Sequence, residues 1–381
     1  MKLESLRLKN FRSYVDLSVD FPSSSNVVVF YGSNGQGKTN LIEAFYLLLR
    51  GESFRPATTG SFLRHSEAGV APASVLEARI RQENLVHQIK LALTPGKKVL
   101  TRNGQSTTGV ALTRQFPLVL FSPESLSAVK EGPDLRRQLL DEVILTHTAA
   151  NARTLRDFRR ALKTRNRILR DAQKAKTPRR EVDALLDSLD PSYLPLAAEL
   201  TVARLSALEA LQNDFCAATR AVLQRNDVDI SVDYLINSKN AREWSRSDIL
   251  TAMHNRTQEL RERELASGVT LVGPHKHDIQ ILFSGKDSRF FCSQGQQRAL
   301  ILSFKMAQIL YHYRSYQEYP FLLLDDVVSE LDPIRRTNLV RFLKDIPAQI
   351  FMTTTDLSFS TDFGDRRLNV FRIEKGMVLS E

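Results

Sequence analysis

The chain has 381 residues, room for two domains or for one domain carrying an insertion. Its hydrophobic share of 42% and charged share of 25% are ordinary globular values and exclude a largely disordered chain. A formal net charge of +10 points to a polyanionic partner without naming one. Cys216 and Cys292 lie far apart and form no CxxC pair, which excludes a cysteine zinc site and a disulfide framework and suits a reducing, cytoplasmic setting. The longest apolar runs, Val27 to Tyr31 and Phe321 to Leu324, fall far short of the roughly 20 residues that span a bilayer. Met1-Lys2-Leu3-Glu4 opens with mixed charge rather than as an export leader, so no membrane partner is expected.

In chain order, Leu3, Leu6 and Leu8 interleave with Arg7 and Lys9, the near-alternation of a half-buried strand. Val27 to Tyr31 is continuously apolar and reads as a strand covered on both faces, as in a parallel sheet. Leu41, Ala44, Phe45 and Leu48 then recur at helical spacing, with Gly51 as the stop. Val86 to Leu93 and Val99 to Arg102 predict a hairpin around Pro95-Gly96. From about Asp134 to Leu265 the period changes: Leu155, Phe158, Leu162 and Leu169, then Leu205, Leu208, Phe215 and Val222, predict two long helices. The second is expected from about Tyr193 to Asn226, a reach of roughly 50 Å, with 177–192 as the intervening turn. Strands return after Thr270, notably Phe321 to Leu324 and Gln349 to Met352. The expected architecture is α/β, with a helical arm at 126–268 inserted between head segments 1–125 and 269–381.

Gly32-Ser33-Asn34-Gly35-Gln36-Gly37-Lys38-Thr39 satisfies GxxxxGK[ST] between a buried strand and an amphipathic helix, where a phosphate-binding loop belongs. Backbone N–H groups and the helix dipole would face the phosphates. Lys38 would neutralise the β- and γ-phosphates, and the Thr39 hydroxyl would bind Mg²⁺. Phe321 to Leu324 ends in Asp325-Asp326, an apolar strand that delivers Asp325 to the metal and Asp326 to an attacking water. The shorter Asp at 326, where many relatives have Glu, must come closer to that water. Ser293 is a good N-cap for a helix with Leu300, Phe304 and Ala307 on one face.

Ser293-Gln294-Gly295-Gln296-Gln297-Arg298 resembles the ABC signature, and Ser329-Glu330-Leu331-Asp332 resembles the D-loop. The resemblance implies that Ser293, Gly295 and Gln296 of one copy meet the γ-phosphate held by another, in an ATP-dependent head-to-head homodimer. With Asn10-Phe11-Arg12, Thr39-Asn40-Leu41-Ile42-Glu43-Ala44, Ser53-Phe54-Arg55, 121–126, Gly132-Pro133, Arg136-Arg137, Arg165-Asn166 and Gly273-Pro274-His275, the chain resembles the RecF family from end to end. These are bacterial gap-repair ATPases related to SMC heads. What that implies is an ABC/SMC-type head, weak DNA-stimulated ATP hydrolysis, and service in DNA replication, DNA damage repair and the SOS response. It implies partners too: duplex DNA and its junctions with single strands, RecR with RecO, and loading of RecA. Arg12 and Asn40 join the expected nucleotide contacts through the same resemblance.

The family commonly has two acids after Gly-Pro-His and a basic residue, and here His277 occupies the first place and Asp278 the second. Against ABC heads in general, Thr353-Thr354-Thr355-Asp356 occupies the place of a switch histidine, as in RecF-like chains, and Gln115 is no clear Q-loop residue. His275, His277 and Asp278 lack a fourth metal ligand and read as polar residues of a strand.

Between Arg153 and Arg180 twelve basic residues face only Asp157 and Asp171, so this segment's charge equals that of the whole chain. Arg156, Arg159, Arg160, Lys163, Arg167 and Arg170 are the expected DNA contacts, made to backbone phosphate without reading sequence. A transport-type ABC ATPase would lack this basic segment. An SMC-like nuclease would need an acidic metal domain for which no length remains. A scaffold with a vestigial loop would not keep Lys38, Thr39 and Asp325. Another SMC-like DNA-associated ATPase is the nearest alternative.

Overall fold

The computed structural model describes every residue except 23–25, 56, 67–68, 175, 359–362, 364–367 and 381. Two compact units form: Met1–Ser127 with Ala218–Arg225 and Arg298–Glu381, and Ala128–Ala217 with Asn226–Gln297.

In the first unit, β1 (Val27–Tyr31), β2 (Leu118–Phe121), β3 (Phe321–Asp325), β4 (Ile350–Thr354), β5 (Leu368–Glu374) and β6 (Met377–Ser380) form one sheet in the order β2-β3-β4-β1-β5-β6. All neighbours run parallel except β6 against β5. β1 lies inside this sheet, which is why Val27 to Phe30 are all buried and why the run does not alternate. A second, antiparallel sheet is built from Tyr14–Asp20, Lys2–Phe11, Ser74–Gln82, Leu85–Thr94, Lys97–Arg102 and Gln105–Ser106, in that spatial order. Here the alternation holds, Leu76, Ala78 and Ile80 pointing inward, and the hairpin turns at Pro95-Gly96 as expected. Helix α1 (Lys38–Arg50) shares one apolar core with both sheets. Phe45 packs edge-on against Phe321 and Phe351 at 5.2 and 5.3 Å, so the helix is apolar almost all round rather than along one stripe.

The parallel register brings the carboxyl ends of three strands together. Asp325 pairs with Thr353, and Thr353 and Thr354 pair with Phe30 and Tyr31, the last residues before the glycine loop. Ligands of open α/β sheets bind at this end.

The second unit contains helix Pro133–His147, then α2 (Ala149–Gln173), α3 (Arg179–Leu223) as far as Ala217, and α4 (Arg246–Ser267). The expected start of the second long helix near Tyr193 is corrected: α3 begins at Arg179 and runs 45 residues through Pro191 and Pro195. Tertiary packing overrides the prolines. Val182 and Leu186, ahead of them, share a buried cluster with Leu169 of α2 and Leu265 of α4. The arm is also not wholly helical, since Lys239–Asn240, Ile230–Ile236, Asp278–Phe283 and Lys286–Asp287 form a four-stranded antiparallel sheet. Helix α5 (Gln294–Tyr316) starts within this unit's residues, so Ser293, Gly295 and Gln296 group with it by contact.

Arg165 is fully buried where the three long helices meet. It donates to Asp190 of α3 at 3.0 Å and Glu264 of α4 at 2.8 Å, and its guanidinium stands over the Tyr193 ring. Arg165 is therefore withdrawn from the basic surface. Burial disfavours its charge, and the hydrogen bonds and negative charges of Glu264 and Asp190 outweigh that and raise its pKa.

Candidate functional site

The loop from Gly32 to Gly37 turns between β1 and α1. A Cβ at Gly32 would run into the Ile373 carbonyl of β5, and one at Gly37, whose φ is 110°, would sit 2.8 Å from the Ser13 Oγ. Gly32 demands glycine because the β5 backbone presses on it, and Gly37 because its φ is left-handed and the Ser13 and Tyr14 side chains close over it. Gly37 precedes α1 and has no side chain to cap it, which leaves first-turn N–H groups for an anion. The loop is braced from outside. Tyr14 Oη donates to the Gly37 carbonyl at 3.0 Å, the Gln36 Oε1 accepts from Lys375 N at 2.7 Å, and Gly376 N donates to the Gln36 carbonyl at 3.1 Å. Asn40 Nδ2 donates to Ser13 Oγ at 3.0 Å.

Lys38 is buried, and its Nζ donates to the carbonyls of Gly32 at 2.7 Å and Ser33 at 2.9 Å. Burial lowers its pKa, opposed by the negative charges of Asp326 and Asp325. Asp325 shows the mirror image. Burial raises its carboxyl, and hydrogen bonds from Thr39 and Thr353 together with the Arg55 charge pull it back. Cation and carboxylates thus share one water-poor spot, where each is worth more than in bulk water. No cluster of three or more His, Cys, Asp or Glu that could hold a metal exists among the described residues. Mg²⁺ does not require one, because it takes one or two protein oxygens and fills its sphere with water and substrate phosphate. Thr39 bonded to Asp325 fits that donor set.

Three residues at the site have contacts to the acid pair that the sequence does not show, although Ser329 and Arg55 lie in segments that resemble family motifs. Thr353 donates to Asp325 Oδ1 at 2.9 Å and accepts from Asp326 N at 2.9 Å, tying both acids with one buried hydroxyl. Arg55 Nη2 stands 3.7 Å from Asp325 Oδ2. Ser329 donates to Asp326 Oδ1 at 2.8 Å, and Asp326 itself sits at φ 51°. The run of threonines offered a signal for the first; the others needed the strand register.

Arg12 is held on the flank of α1. It grips Glu43 with Nε at 3.0 Å and Nη2 at 2.8 Å, donates to the Ser61 carbonyl, and covers the Phe62 ring. Ser293 and Gln296 form a reciprocal cap of α5, Gln296 N donating to Ser293 Oγ at 3.2 Å and Ser293 N to Gln296 Oε1 at 2.8 Å. Ser293 is exposed, and Gly295 half-buried. Gln115 is taken up by Arg102 and His87. Asp278 is gripped by Arg136 and Arg289, and His277 meets Tyr234 Oη at 3.1 Å.

On α2, Arg153, Arg156, Arg160, Lys163, Arg167 and Arg170 are all exposed, at alternating steps of three and four. Lys174, one step further, caps the helix. Leu155, Phe158 and Leu169 are buried on the opposite side. The stripe runs roughly 32 Å along the helix. Arg156 and Arg167 pair with their half-exposed neighbours Asp157 and Asp171, surface pairs that hold little energy, whereas Arg159, at the stripe's edge, lies 3.7 Å from the buried Asp141.

Residues 2–378 match the RecF/RecN/SMC N terminal domain. The chain is 34% identical over 380 residues to the DNA replication and repair protein RecF of Heliobacterium modesticaldum, covering 99% of each. It is 33% identical over 381 residues to RecF of Geobacter sp., covering all of both. The chain belongs to the RecF family. A solved structure of the recombination mediator protein RecF-ATPrS in RecFOR pathway matches with TM-score 0.84 and 28% identity, over 100% of this chain and 98% of that one. The Smc head domain of Pyrococcus furiosus matches at TM-score 0.54 and 16% identity, a likeness of fold. The RecF-type head is thus an ABC/SMC-type ATP-binding fold, and no described helix is long and apolar enough to cross a membrane.

Proposed function

We propose that this RecF-family chain is an ATP-gated DNA clamp that acts in recombinational repair and replication, closing as a head-to-head homodimer on duplex DNA near single-strand gaps. ATP is held by the N–H groups of 32–37, by Lys38 and by Asn40, with Arg12 released from Glu43 to approach the phosphates. Thr39 and Asp325 would hold Mg²⁺, which would supply screening of the phosphate charge. Asp326 orients and deprotonates the attacking water, and hydrolysis is slow and stimulated by DNA. Ser293, Gly295 and Gln296 of the second copy close over the γ-phosphate. The exposed face of α2, from Arg156 and Arg159 through Arg160 and Lys163 to Arg167 and Arg170, meets backbone phosphates over roughly 21 Å. RecR and RecO are the partners that this reading assigns, on the strength of a relative described within the RecFOR pathway, and RecA follows from the family resemblance alone.

The observation that carries the reading is the convergence of Lys38, Thr39, Asp325 and Asp326 at one sheet end. Mass and duplex binding measured with and without ATP test it. Lys38→Ala and Ser293→Arg should form no ATP-driven dimer, whereas Asp326→Asn should accumulate an ATP-bound dimer on DNA. Normal dimerisation of Ser293→Arg would overturn the shared site. If about five phosphates are contacted, log K falls with log salt at a slope of about −4.5, and a flat response removes the DNA assignment.

A further inference from the structure

A cavity of about 760 Å³ lies between α3 and α4, within the second unit and built from none of the residues assigned to ATP or DNA. Its walls are two helix faces. Asp183, Asp187, Asp190 and Leu194 follow steps of four, three and four along α3, and Leu250, His254, Thr257 and Arg261 follow the same steps along α4. The trough is therefore roughly 16 Å long, and its floor is mainly apolar, with Leu194, Leu250 and the two prolines of α3.

Its charge is opposite to that of the α2 stripe. Arg261 draws Asp183, Asp187 and Asp190 together at 3.3, 2.8 and 3.4 Å. Arg165 also reaches Asp190 and joins it to Glu264, and Arg179 reaches Asp183 and joins it to Glu262. This network holds five carboxylates and three guanidinium groups, an excess of two negative charges, and Asp187 is its most open aspartate, 73% exposed. The prolines add acceptors. Pro191 and Pro195 have no N–H, so the carbonyls of Asp187 and Pro191, four residues back, lose their helical donors.

We propose that this trough docks an amphipathic helix of a protein partner, one presenting Leu-type anchors at i, i+3, i+4 and i+7 flanked by Lys or Arg. An apolar floor takes the anchors, while carboxylates and released carbonyls take the cations and donors. Nucleic acid is excluded by the sign of the rim. A second copy is a poor occupant, because its basic helix α2 turns its own apolar side into the core and offers charge without anchors.

The test uses the full chain and a fluorescent, photo-crosslinkable synthetic peptide with that Leu/Lys pattern, against the same peptide with Glu for Lys. The Leu/Lys peptide should bind and label α3 or α4. Leu250→Arg, which fills the floor, and Asp187→Lys, an exposed change that leaves the core intact, should each weaken it at least tenfold, with ATP hydrolysis and duplex binding unchanged. Equal binding of the Glu peptide, unaltered binding by both variants, or labelling outside α3 and α4 would overturn the proposal. So would a concentration-dependent dimer of the parent chain that is lost in both variants, since that puts a second copy in the trough.

Discussion

The nucleotide site and the basic face of α2 both gather cations, under opposite solvation. Lys38 is buried between carbonyls of its own loop and carboxylates from a distant segment of the chain. The arginines of α2 stand in water along a single helix, with only weak local partners. A buried charge acts at one position and demands exact neighbours, whereas an exposed stripe acts as a sum and tolerates loss of any member. Arg165 marks the boundary between the two regimes: it belongs by sequence to the basic segment and by environment to a buried network.

The sharpest way to break that comparison is at Arg165. Glu264→Gln leaves its guanidinium buried with one carboxylate fewer and should cost about 3–5 kcal/mol, seen as a lower urea midpoint, while Arg167→Gln should leave the midpoint unchanged. In the nucleotide site, Lys38→Ala should reduce ATP turnover by a factor on the order of 10²–10³, with duplex binding by the ATP-free protein preserved. On α2 the effect should be additive. Arg160→Glu with Lys163→Glu should lower the salt slope of duplex binding by about 2, and an unchanged slope would show that the stripe is not the contact surface.

A pH titration sharpens the contrast further. Burial pushes His275 down to about 4, so the folded chain keeps it neutral while the unfolded chain protonates it near its ordinary value of 6.5. Between those values the unfolded state binds more protons, and stability should fall as pH falls from 6.5 towards 4, by at most about 1.4 kcal/mol per pH unit for this group. His275→Gln should flatten that part of the profile. The smallest effect is expected at Thr353→Val, which removes one hydroxyl from between Asp325 and Asp326 and should slow hydrolysis about tenfold with little change in ATP affinity.

The strand, loop and helix around the glycines were legible because each depends on neighbours in the chain: a β-branched run, then glycines, then an apolar 3.6-residue period. The hairpin at Pro95-Gly96 was legible for the same reason. The start of α3 was not, because local rules stop a helix at Pro191 and only contacts with α2 and α4 carry it through. The basic segment could be counted, but burial divides it, and burial is not a property of residue type.

The amino-acid sequence alone determined the phosphate loop, the acid pair at the end of an apolar strand and the sign of the charge on the arm, since these rest on covalent order and side-chain chemistry within a few residues. Only the tertiary structure decided that Thr353 bridges both acids, that Arg12 grips Glu43, that Arg165 is a core residue and that an acidic trough opens between α3 and α4. Each of these joins segments far apart in the chain, and pairing at that distance is set by which apolar faces are buried together and not by any local pattern.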